Sequence, residues 1–143
     1  MINDYKKTFN TYREIGYSEK AVSLILSKPN IGTIDNADIC CDYQSDCGDI
    51  LIIYIALDNE LIIDAKYEYI GCMGLCVAAS GLTEMIKGLT IEQANLITFN
   101  DLLSYLESVP NSKYECLELA LNTLRKATKE FSEKKCGDGK NFK

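Results

Sequence analysis

Three cysteines in separate, distinctive settings set the strongest constraint on what this chain can fold into: Asp46-Cys47-Gly48-Asp49, Gly71-Cys72-Met73-Gly74 and Lys113-Tyr114-Glu115-Cys116. Thiolates are the soft ligands that hold zinc and iron–sulfur clusters, and sulfurs this far apart along the chain can share a metal only if the fold makes them converge. Asp49 would add a hard oxygen ligand beside them. The chain has seven cysteines and no histidine. The missing imidazole removes Ser/His/Asp triads, Cys/His nucleophile pairs and two-histidine zinc motifs, so any chemistry falls to sulfur and carboxylates.

An odd cysteine count at spacings that match no small secreted framework points to thiols or ligands in a reducing compartment rather than to disulfides. The net charge of −6 comes with no basic cluster that could track a phosphate backbone, which argues against nucleic acid and favours a basic protein surface as partner. The longest apolar run, Ile50 to Leu57, has the length of a strand, far short of the roughly 18 residues of a membrane helix. The start, Met1-Ile2-Asn3-Asp4-Tyr5-Lys6-Lys7, has no apolar signal core, so a cytoplasmic location is expected. With 143 residues the chain fits one domain with an ordinary hydrophobic core.

The pattern along the chain predicts an α+β arrangement. A polar segment to about Gly16 precedes a helix from Ser18 to Leu26, stopped at Lys28-Pro29-Asn30-Ile31-Gly32. Three strands follow, about Ala37–Tyr43, Asp49–Leu57 and Leu61–Ile70, the last two joined by the turn-forming Asp58-Asn59, which makes an antiparallel meander. In the third strand Asp64, Lys66 and Glu68 alternate with Ile63, Ala65, Tyr67 and Tyr69, so the three-stranded sheet should pack helices on one face. Helices are predicted over Cys72–Lys87, from Thr90 with Gln93 as a capping box, after Asn100, and over Lys113–Phe131 with Ser112 and Glu115 as a second capping box.

This placement puts Cys47 in the loop entering the second strand, Cys72 at the start of the following helix and Cys116 in the first turn of the last one. Helix N-termini stabilise thiolates, which poises two of the three sulfurs as ligands. Free cysteine is also among the most buried residue types, and Gly48 and Asp49 equally suit a simple turn. Cys76, one helical turn from Cys72, can face the site or fill the core. Cys40 and Cys41 are strand neighbours pointing to opposite faces, and Cys136 falls in the charged tail, where an exposed thiol is expected.

From Tyr17 to about Lys129 the chain resembles the IscU/NifU family of iron–sulfur cluster assembly scaffolds. The matching segments run in order: YSEKAV and KPNIGTID, DCGD at the first cysteine, GCMGLCVAASGLTEMIKGLTIEQA at the second, and KYEC followed by LA at the third. The resemblance implies a three-stranded antiparallel sheet with helices on one face and a site at one end. It implies that Cys47, Cys72 and Cys116 bind the cluster and accept sulfur, with Asp49 beside them. It further implies a carrier rather than a turnover enzyme: a cysteine desulfurase supplies sulfur, an iron source and an electron donor complete a [2Fe–2S] cluster, and recipient apoproteins take it away. Three thiolates and one carboxylate leave a weaker corner from which a cluster can depart. A monomer or a weak, cluster-bridged homo-oligomer fits this role.

Two further readings stay open: a zinc-containing sulfur acceptor similar to the SufU branch, using the same four residues, and a metal-free paralogue that only docks partners. The chain departs from the IscU pattern at Glu115, where that branch has histidine, so Glu115 is either a capping residue or a ligand. The proline-rich chaperone-recognition segment survives only as Ser108-Val109-Pro110-Asn111-Ser112-Lys113, which leaves recognition by the dedicated chaperone open. Residues 1–16 are expected to be an extension, 17–131 the scaffold domain and 132–143 a flexible charged tail.

Overall fold

The computed structural model describes residues 2–141, with side chains placed from 5 to 133. Helix α1 (Ile2–Glu14) and helix α2 (Glu19–Ser27) precede strands β1 (Ile39–Gln44), β2 (Ile50–Asp58) and β3 (Leu61–Ile70). Helices α3 (Met73–Ile86), α4 (Ile91–Asn95) and α5 (Phe99–Leu106) follow, and a 3₁₀ turn at Asn111–Lys113 leads into α6 (Tyr114–Asn141). The strands form an antiparallel sheet in the order β1-β2-β3, the α+β meander that the sequence predicts.

One face of the sheet carries Ile39 and Cys41 from β1, Leu51, Ile53 and Ile55 from β2, and Ile62, Ala65 and Tyr67 from β3, all buried. Helices α3 and α6 pack on that face. Residues Gly74 to Thr83 of α3 are buried without interruption because the helix is apolar all round and is enclosed by β3, α2, α5 and α6. Its polar groups are satisfied inside: the Tyr67 hydroxyl lies 2.6 Å from Ser80 Oγ and 3.4 Å from Cys76 Sγ.

Strand β3 departs from strict alternation. The register slips between Ala56 and Leu57, so Ala56 faces Asp64 while Leu57 faces Ile62, and Ile63 is skipped. A bulge of this kind flips the side chains beyond it. Ile62 therefore goes into the core and Ile63, expected inside, is 58% exposed.

The outer edge of β3 is covered rather than open. Tyr67 N–H donates to the Asn30 carbonyl and Gly32 N–H to the Tyr67 carbonyl at one end, while Ile62 N–H donates to the Leu89 carbonyl and Gly88 N–H to the Ile62 carbonyl at the other. Asn30 is fixed in turn by its side-chain amide, which donates to Thr83 Oγ1 and Glu84 Oε2 on α3. At the opposite side of the sheet, Lys126 Nζ on α6 donates to the Asp42 carbonyl of β1.

Helix starts follow their side chains. Ser18 accepts from Ala21 N–H, and Thr90 with Gln93 closes the predicted capping box. Thr98 and Asp101 close another at the start of α5. The box expected from Ser112 and Glu115 does not form. Pro110 opens the 3₁₀ turn, Lys113 N–H donates to its carbonyl, and Ser112 sits inside that turn instead of ahead of the helix. At the two ends, residues 2–14 of the extension form a helix, and α6 runs on past the expected Phe131 to Asn141. The side chain of Cys136 lies outside the described residues.

Candidate metal and sulfur site

Cys72 ends the turn after β3 and takes the N-cap position of α3, with extended backbone at φ −84° and ψ 173°. Cys116 occupies the first turn of α6. Because α3 and α6 pack against each other, these two helix starts meet, and their sulfurs stand 3.4 Å apart. Asp49, at the mouth of β2, completes a group: one carboxylate oxygen and the two sulfurs all lie within 4.8 Å of one another.

The glycines around Cys72 explain how so much chemistry fits there. A Cβ on Gly71 would stand 3.0 Å from Asp49 Cγ, so the absence of a side chain lets the carboxylate lie against the backbone before Cys72. A Cβ on Gly74 would stand 2.8 Å from Lys113 Cδ, so the stem of Lys113 lies across the first turn of α3. Each glycine of the Gly71-Cys72-Met73-Gly74 segment thus makes room for one charged residue.

Electrostatics separate the two paired sulfurs. Burial alone pushes the Cys72 thiol up, but the N–H of Leu75, the Cys116 thiol, the N–H of Gly74 and the charge of Lys113 together outweigh it and lower its pKa. Burial, then the hydrogen bond to Cys72, push Cys116 up to about 12. Of the two paired sulfurs, Cys72 therefore gives up its proton more readily than Cys116. Tyr17, buried at the α1–α2 junction, is pushed up to about 12 by its burial and by negative charge on Cys72 and Cys116.

Cys47 belongs to a different local structure. Its turn is closed by Ser45 N–H donating to the Asp49 carbonyl and by Gly48 N–H donating to the Ser45 carbonyl. Gly48 has φ +96°, a conformation that glycine adopts without strain. Ser45 Oγ accepts from Asp49 N–H and lies 3.1 Å from Cys47 Sγ, so one hydroxyl ties both candidate ligands to the turn. Cys47 is exposed and lies outside the compact group. It nonetheless lines the same cleft of about 190 Å³ with Asp49, Cys72, Lys113, Glu115 and Cys116.

The other cysteines go elsewhere. Cys76 is buried against Tyr67 in the core, away from the cleft, and Cys41 is buried with its thiol pushed up to about 11, first by burial and then by Glu130. Cys40 is exposed on the far side of the sheet. Glu115 is exposed on the cleft rim and makes no capping hydrogen bond among those described, so its side chain stands free to face the site. Ser45 and Lys113 are cleft residues whose part sequence reasoning missed. The signals were a hydroxyl two residues before Cys47 and a lysine three before Cys116.

A family model described as the NifU-like N-terminal domain matches residues 16–138. Among curated relatives, the iron–sulfur cluster assembly scaffold protein IscU 1 of Archaeoglobus fulgidus is 34% identical over 119 residues, spanning 82% of this chain and 78% of its own. The scaffold protein IscU of Aquifex aeolicus is 32% identical over 119 residues, spanning 80% and 75%. Among solved structures, a scaffold protein described for the SUF system of Fervidobacterium islandicum superposes with a TM-score of 0.65 at 25% identity, covering 80% of this chain and 97% of that one. A NifU-like N-terminal protein of Brucella abortus gives a TM-score of 0.67 at 14% identity over 82% of this chain and 94% of its own, a likeness of fold.

Proposed function

The chain belongs to the NifU-like N-terminal domain family, and from that premise we propose that it is an iron–sulfur cluster assembly scaffold, a carrier rather than an enzyme. The observation that carries this reading is the convergence of Asp49, Cys72 and Cys116 within 4.8 Å, with Cys47 on the rim of the same cleft. Relatives named as iron–sulfur scaffolds support it.

The donor set fits a thiophilic metal: two sulfurs and one carboxylate converge, with a third sulfur at hand. The cargo in this reading is a [2Fe–2S] cluster held by Cys47, Cys72, Cys116 and Asp49. A cysteine desulfurase supplies the sulfur, an iron source and an electron donor the remainder, and recipient apoproteins take the product. Cys47 is the exposed thiol, so it is the one that a donor's persulfide reaches first. Its thiolate attacks the outer sulfur, the donor's S–S bond breaks, and the donor cysteine leaves as thiolate. No helix among the described residues is long and apolar enough to cross a membrane. We place the scaffold in the cytoplasm.

A second reading at the same site fits the sulfur spacing as well. Two thiolates on one tetrahedral zinc stand ~3.8 Å apart, given Zn–S bonds of about 2.3 Å. The 3.4 Å between Cys72 and Cys116 is close to that spacing. Here zinc is held by Asp49, Cys72 and Cys116 with Cys47 as the exchangeable fourth ligand, and the protein is a sulfur acceptor. Purification without oxygen, followed by metal and acid-labile sulfide analysis, separates the readings. Iron with sulfide and a visible absorption band supports the scaffold. Stoichiometric zinc, with persulfide appearing on Cys47 after incubation with a cysteine desulfurase, supports the acceptor. Protein that binds neither metal overturns both.

A further inference from the structure

The cleft gathers far more negative charge than a metal ion can offset. Its lining includes three cysteines, Asp49 and Glu115, and Lys113 is the cation among the described lining residues. Once the thiols ionise to hold cargo, three thiolates and two carboxylates share about 190 Å³. A divalent ion cancels two of these charges, and sulfide or persulfide sulfur adds more. Like charges this close repel strongly in a partly desolvated site unless a fixed cation stands among them.

Lys113 is held where that cation is needed. Its backbone is fixed in the 3₁₀ turn by the hydrogen bond to the Pro110 carbonyl, and its stem lies across Gly74, where a Cβ would stand 2.8 to 3.0 Å from three of its carbons. Its charge reaches both Cys72 and Cys116. Among the described ion pairs none engages Lys113, so its ammonium is not committed to a carboxylate elsewhere. We propose that Lys113 is the charge-compensating residue of the cleft, seated by Gly74, and that it sets how tightly the site retains anionic, sulfur-bearing cargo.

The inference rests on the functional reading above and is tested with zinc alone, by competition against a chromophoric chelator. Lys113→Met keeps the stem that packs on Gly74 and removes only the charge. It should bind zinc about tenfold more weakly, ~1.4 kcal/mol, with an unchanged melting temperature of the metal-free protein. Lys113→Arg should restore affinity. The wild-type advantage over Lys113→Met should shrink as salt rises from 0.05 to 0.5 M, as screening requires and a packing role does not. Gly74→Ala retains the lysine but displaces it, and should lose several-fold in affinity. Wild-type binding matched by both Lys113→Met and Gly74→Ala overturns the inference while leaving the functional reading intact. A wild-type protein that takes up no metal overturns both.

Discussion

Cys116 and Cys47 line the same cleft, yet one is buried in the first turn of a long packed helix and the other is exposed on a five-residue turn between two strands. The buried sulfur is paired with Cys72, which itself caps a helix buried on nearly every side. Among the described side-chain contacts, the exposed one leans on Ser45. A carrier needs both kinds of support. Ligands on packed helices keep their geometry whether or not cargo is present, whereas a thiol that must collect sulfur has to be reachable and free to move.

The largest effect expected from this contrast is on metal retention. Cys72→Ser and Cys116→Ser should each weaken zinc binding by more than ~100-fold, beyond what loss of a supporting contact brings, while Cys47→Ser should cost about tenfold. Equal losses at all three positions, measured by chelator competition, would erase the proposed distinction between holding and collecting sulfurs.

Proton affinity should separate the halves next. A thiol whose folded pKa is raised adds stability that is fully present below its unfolded value of about 8.5 and is lost as pH rises toward the folded one. Cys116, pushed up to about 12, should therefore make the metal-free protein less stable between pH 8.5 and 10, and Cys116→Ala should flatten that decline in urea melts. Cys72, with a lowered pKa, acts in the opposite sense: its contribution is present above 8.5 and lost as pH falls through its folded value. In alkylation at pH 8 followed by mass spectrometry, Cys47 should react at least tenfold faster than Cys116, on the order of the accessibility difference. Parity would break the comparison.

Backbone effects should be smaller and confined to the turn. Gly48→Ala meets no atom within 4 Å but must hold φ +96°, so a cost of about 1 kcal/mol is expected in thermal melts, with the Cys72–Cys116 pair still binding metal. Glu115→Gln should change stability by less than about 0.5 kcal/mol, since no capping hydrogen bond depends on it. A larger loss would restore the capping role. A changed metal spectrum at normal stability would make Glu115 a ligand.

Periodicity carried most of the architecture. The strands, the apolar run of α3 and the Thr90/Gln93 box were legible because each depends on neighbours in sequence. The slip at Ile63 was not, because a bulge is decided by cross-strand pairing and both Ile62 and Ile63 suit a buried position. Ser112 with Glu115 had the spacing of a cap, but Pro110 two residues earlier had already started the turn. At the site, the motif contexts pointed to the four residues around the cleft, yet the unequal standing of Cys47 and the seats that Gly71 and Gly74 provide depend on which elements pack together. No local pattern encodes that.

The covered margin of β3 bears on how such a carrier meets its clients. With Tyr67 tied to Asn30 and Gly32, and Ile62 to Gly88 and Leu89, that strand has little unpaired ladder to offer. β1 at the other margin is six residues long and shares a carbonyl with a lysine, features that discourage strand addition. Strand pairing with other chains is thereby discouraged at both margins, and in the proposed role contact is steered to side chains around the cleft.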